Sequence, residues 1–121
     1  RYHSDDVVPR LFRKERPGGR VLVLEGHANL DHPIVLSEFG GIACSSEQRT
    51  WGYSRCDTGE ALRQRYTELL QAVHDSRIFA GFCYTQFADT YQEANGLLFA
   101  DRTPKFELGD IQRATRGSSG R

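Results

Sequence analysis

The segment from Ile34 to Gly41 constrains this chain more than any other. Ile34-Val35-Leu36 is apolar on consecutive positions, and the run stops at Ser37-Glu38 before Phe39 and the pair Gly40-Gly41. A strand that is apolar on neighbouring positions is covered on both faces, the pattern of a parallel sheet. Glu38 then falls where the strand surfaces into a loop. In closed parallel sheets that end of the strand is where chemistry is done. On position alone, the simpler reading is that Glu38 merely ends a strand at the surface.

The chain has 121 residues, the size of one ordinary domain. Its 16 basic and 16 acidic side chains cancel, which argues against a nucleic-acid or membrane partner held by bulk charge. No apolar stretch approaches the roughly 18 residues that would span a bilayer. Cys44, Cys56 and Cys83 are odd in number and match no usual zinc spacing. Free thiols in a reducing compartment are the simplest reading and favour the cytoplasm; a lone Cys44–Cys56 bridge stays open. The chain contains no Met, which leads us to expect a piece of something longer.

Residues 1–32 read as a polar lead-in. Pro17-Gly18-Gly19 is loop punctuation. Val21-Leu22-Val23-Leu24 has the look of a strand, but the gap to Ile34 is too short for a parallel crossover. The first firm strand is Ile34–Glu38. Residues 39–57 form a long connection. A helix follows, with Asp57 as cap and Glu60 completing an Asp variant of the capping box. Leu62, Tyr66, Leu69, Leu70 and Val73 make its apolar stripe, while Arg63, Arg65, Glu68 and Gln71 fall on a solvated face. Ile78–Tyr84 is the next buried strand. Strand, helix, strand is the βα unit of a parallel sheet. Residues 85–103 form a second long loop with a tight turn at Asn95-Gly96. Thr103 and Pro104 open a short helix that runs to about Thr115. Residues 116–121 read as a flexible tail.

Two strands, each ending in polar or aromatic residues and a long loop, resemble the catalytic face of a (β/α)₈ barrel. Pro33-Ile34-Val35-Leu36-Ser37-Glu38-Phe39-Gly40-Gly41 is similar to the nucleophile strand of glycoside hydrolase family 2, which includes β-galactosidases, β-glucuronidases and β-mannosidases. Gly81-Phe82-Cys83-Tyr84 with Asp89, then Asn95-Gly96-Leu97-Leu98-Phe99-Ala100-Asp101-Arg102-Thr103-Pro104, resembles the end of the same barrel. The resemblance covers residues 33–115 and implies an α/β fold: the last quarter of a TIM barrel, from the seventh strand to the closing helix. A whole barrel takes about 250 residues.

That resemblance implies hydrolysis of a β-glycosidic bond with retention. Two carboxyl groups share the work in such enzymes, one attacking the anomeric carbon and the other protonating the leaving oxygen. By the resemblance Glu38 is the nucleophile, and the glycines let the backbone turn sharply beside the sugar. The family's acid lies in an Asn-Glu pair, and no Asn-Glu dipeptide occurs here. The expectation is therefore a fragment, inactive alone, whose partners are a β-glycoside, the rest of its barrel and two β-sandwich domains. Cut strand edges also invite self-association into a homo-oligomer.

The weaker candidates for substrate binding are Tyr84, Trp51, Gln86 and Asp89. Tyr84 stands about where many family members place a Trp platform, which leaves the sugar preference open; the alternative is core filler. Trp51 suits either a sugar face or a hydrophobic plug. Gln86 and Asp89 suit sugar hydroxyls, or for Asp89 the cap of a turn. Asn95, Asp101 and Arg102 read as holding their loop in shape. No cofactor or metal is expected. His3 with Asp5 and Asp6 reads as a polar terminus. The rival readings are a non-catalytic carbohydrate-binding or structural remnant of such a barrel, and a small self-contained α/β domain.

Overall fold

A computed structural model describes Gly26, residues 32–45 and residues 52–117. Within them run β1 (Ile34–Gly40), β2 (Ile42–Cys44), β3 (Ser54–Cys56), α1 (Gly59–Asp75), β4 (Phe79–Thr85) and α2 (Leu108–Arg116). Two short parallel sheets and two helices make this an α/β arrangement. The Val21–Leu24 segment and Trp51 lie outside the described residues.

β1 and β4 pair in parallel, with Leu36 opposite Phe82, Phe39 opposite Tyr84 and Gly40 opposite Thr85. α1 lies between them in the chain, as the parallel pairing of two strands requires. Gly41 N–H donates to the Thr85 carbonyl at 2.7 Å, which carries the contact one residue past β1.

α1 forms because its apolar residues recur at helical spacing. Leu62, Tyr66, Leu70 and Val73 are its buried residues. Tyr66 and Leu70 meet Leu97, with Phe39, Phe82, Tyr84 and Phe106 packed around them. A neighbouring cluster joins Leu62 to Ile42 and Cys56. The aromatic side chains meet edge to face: Tyr66 with Tyr84 at 4.9 Å between ring centres, and Phe39 with Tyr84 at 5.6 Å. These geometries place ring edges over ring faces, where the quadrupoles attract.

Several expectations are corrected here. The cap of α1 is Thr58 rather than Asp57: the Thr58 hydroxyl accepts the Ala61 N–H at 3.1 Å. The loop 39–57 contains structure, because β2 and β3 pair in parallel within it, Ile42 opposite Ser54 and Cys44 opposite Cys56. No helix starts at Pro104. That residue bridges Leu98, and Lys105 N–H donates to the Leu97 carbonyl at 3.1 Å. These bonds hold Pro104 out of a helix, the chain bends at Lys105 and Phe106, and α2 begins at Leu108. Arg116 belongs to that helix rather than to a tail. Asn95-Gly96 lies in no turn; both residues are buried beneath the loop. The largest departure concerns β1. Val35 is 57% exposed, and Ser37 and Glu38 are exposed with it. The helix side of the β1–β4 pair carries Phe39, Phe82 and Tyr84. Among the described residues nothing matches this layer on the other side.

Candidate functional site

The carboxyl ends of β1 and β4 meet side by side, and both strands continue into long connections. Phe39 turns its ring onto the helix side against Phe82 and Tyr84. Ser37 and Glu38 fall where the register slips between Leu36 and Phe39, and both are exposed. The carboxylate therefore stands in solvent, one residue short of the last register pairs of the strand.

The glycines beyond it are demanded by the backbone and by two rings. Gly40 and Gly41 have φ of +106° and +63°, where an L side chain is strained. A Cβ on Gly40 would stand 2.3 Å from the Tyr84 ring, and one on Gly41 2.5 Å from the Tyr53 ring. The glycines expected to free the backbone after Glu38 do so through positive φ at both positions. Inside the chain, aromatic rings already fill the space that the missing side chains leave.

Tyr84 lies on the helix side of the sheet, half-buried among Phe39 and Tyr66. Burial pushes its phenol well above the ordinary tyrosine range, with Tyr66 adding to the effect. The ring serves the core here and is not brought to the carboxylate. Gln86 follows β4 directly, so the register places it at the same end of the sheet as Glu38. Its backbone is tied across the loop: Gln86 N–H donates to the Asn95 carbonyl at 3.2 Å, and its own carbonyl accepts from Leu97 at 3.1 Å. The Gln86 Nε2 group is buried without a hydrogen-bond partner. The Asn95 side chain is 0% exposed, and both its amide atoms lack partners. Such groups cost about 1–3 kcal/mol each when left unpaired.

Asp89 is placed away from any open face. Its Oδ1 accepts Lys105 Nζ at 2.7 Å and Gly96 N–H at 2.9 Å. The same ammonium donates to the Ala94 carbonyl at 2.8 Å. The Lys105 side chain is 1% exposed. The pair thus staples residues 86–105 together, and Cys44 N–H donating to the Ala94 carbonyl at 2.9 Å ties that loop to β2. Gly96 threads through this staple, where a Cβ would lie 2.3 Å from Ala88 and Asp89 backbone atoms. Lys105 escaped the sequence reading because Thr-Pro-Lys reads as the mouth of a helix, with the lysine in solvent. Only its partner Asp89, sixteen places back along the folded loop, reveals its role.

Asp101 and Arg102 hold their loop as expected, though by different bonds. Asp101 accepts the Thr103 N–H at 2.8 Å, and that contact draws its carboxyl below the ordinary range. Arg102 adopts φ +74° and its N–H donates to Phe99. Among the described residues no group of three or more His, Cys, Asp or Glu is arranged to hold a metal ion, and no helix is long and apolar enough to cross a membrane.

No protein-family model matches the chain, and no curated protein matches it.

Proposed function

We propose that this chain is the nucleophile-bearing end of a retaining β-glycosidase barrel, resembling glycoside hydrolase family 2. In this reading β1 and β4 are the last two barrel strands, α1 is the helix between them and α2 closes the ring. One observation carries it: parallel neighbours joined by a helix that leaves one sheet face bare among the described residues, with Glu38 exposed at the carboxyl end of β1. In a barrel that bare face is the interior, and its rim is the catalytic end.

Glu38 then attacks the anomeric carbon. The bond from that carbon to the carboxylate oxygen forms as the glycosidic bond breaks. A second carboxyl group, held about 5–5.5 Å away, protonates the departing oxygen and later takes a proton from the water that releases the sugar. That acid is contributed by residues beyond this chain. Gln86, at the same end of the sheet, binds sugar hydroxyls once its amide turns outward. Asp89, Tyr84 and the Gly40-Gly41 turn act as positioning residues, because each is engaged inside the loop or core. Trp51 is assigned to the sugar rim only through the resemblance. The substrate class is a β-galactoside or β-glucuronide; the residues that choose between them lie elsewhere in the barrel.

The test uses the complete reading frame, extended upstream, with 2-deoxy-2-fluoro β-glycosides that bear good leaving groups. Peptide mass spectrometry should find the sugar on Glu38, and Glu38→Gln should abolish labelling and turnover. A label on another carboxylate overturns the assignment of Glu38. A folded protein with neither label nor hydrolysis favours a non-catalytic barrel remnant.

A further inference from the structure

Cys44 and Cys56 end the two strands of the β2–β3 ribbon and stand directly opposite each other in register. Adjacent strands run about 4.8 Å apart, and disulfides join Cα atoms about 4.4–6.8 Å apart. Paired residues of parallel strands project their side chains to the same side. Both sulfurs belong to one cluster, packed with Ile42 and Leu62. Both are free thiols. Cys44 is half-buried and reachable, whereas Cys56 is 4% exposed.

We infer that Cys44 and Cys56 are a thiol–disulfide modification site, closed by a low-molecular-weight disulfide such as oxidised glutathione. The accessible Cys44 thiolate attacks one sulfur of glutathione disulfide. That S–S bond breaks, a mixed disulfide forms on Cys44, and one glutathione leaves. The Cys56 thiolate then attacks the Cys44 sulfur and expels the second glutathione. The protein loses two electrons and two thiol protons, and the glutathione disulfide takes up both. Arg65 and Lys105 lie near enough to favour the Cys56 thiolate, although burial opposes it. The second step is therefore the slow one. The exposed Cys83, on β4, has no facing thiol among the described residues and stops at the mixed disulfide. Closure would join the carboxyl ends of β2 and β3 without moving the strands, because the reduced register already matches the bridge.

The experiment equilibrates the full native chain, and its Cys83→Ser variant, in glutathione redox buffers. Remaining thiols are then blocked with iodoacetamide and the protein is digested. The expected result is a peptide joined through Cys44 and Cys56, with alkylation of both falling at least about tenfold and returning after dithiothreitol. The far-ultraviolet circular dichroism should stay unchanged throughout. Glutathione retained on Cys44 with Cys56 reduced overturns the inference. So does persistence of both thiols, or a bridge that forms only when urea unfolds the chain. Cys44→Ser, which alters only the half-buried member, should leave Cys56 reduced and unmodified; glutathione on Cys56 in that variant also overturns it.

Discussion

Gly40 shows how one absent methyl group can hold a strand end in place. Its φ of +106° disfavours any L side chain, and the Tyr84 ring occupies the space a Cβ would need. Gly40→Ala should destabilise the chain by about 2 kcal/mol or more, from backbone strain plus displacement of the ring. Urea denaturation measures this, and combining it with Tyr84→Leu should recover part of the loss. Cys56 yields a pH prediction. Burial, then the neighbouring Cys44, pushes its thiol from 9.0 up to about 12. The folded state thus holds this proton more tightly than the unfolded state does. Its contribution is complete below about pH 9 and declines as the pH rises from there toward about 12. The urea midpoint of the reduced chain should fall between about pH 8 and about pH 10.5, and fall less in Cys56→Ala. Equal falls in both proteins would refute the assignment. The type and place of these residues are plain in the sequence. Their conformation and neighbours are not, since Gly40 meets Tyr84 only through the register of two distant strands.

Among the elements, α1 and the loop 86–105 differ in how openly their sequences declare them. The stripe of Leu62, Tyr66, Leu69, Leu70 and Val73 is a local periodic signal; Leu69 is half-buried and the other four are buried in the helix it predicts. The loop is organised by an ion pair that no periodicity announces. Removing one partner of such a pair strands a buried charge, which costs about 3–5 kcal/mol, whereas removing both costs far less. Lys105→Met should therefore destabilise strongly, and Asp89→Asn added to it should restore a substantial part. A double-mutant cycle in urea checks the coupling; additive losses would mean that the two side chains act independently. The displaced start of α2 follows from the same loop. Thr103 and Pro104 have good helix-opening chemistry, yet the Lys105–Leu97 and Pro104–Leu98 contacts hold them extended. Tertiary hydrogen bonds outweigh local propensity, which is worth only fractions of a kcal/mol per residue.

For the molecule as a whole, the decisive feature is the uncovered side of the β1–β4 pair. Val35 is 57% exposed there, and among the described residues each sheet has two strands. Two-stranded sheets with an apolar bare face and unpaired edges recruit further strands. The 121-residue chain should self-associate with rising concentration, and Val35→Lys should shift it toward monomer in sedimentation velocity runs. A wild-type chain that stays monomeric and unfolds cooperatively would instead support a self-contained domain. The surface that would make the chain sticky is also the one that would close a catalytic barrel.

The order of strand, helix and strand was legible in the residues alone, because apolar runs and a helical stripe are local signals. So was the position of Glu38 at the end of an apolar run. Tertiary structure alone decided that Tyr84 is spent on the core, that Asp89 and Lys105 neutralise each other, and that Cys44 meets Cys56. Each of those facts depends on contacts between residues far apart in the chain, and such contacts leave no periodic trace.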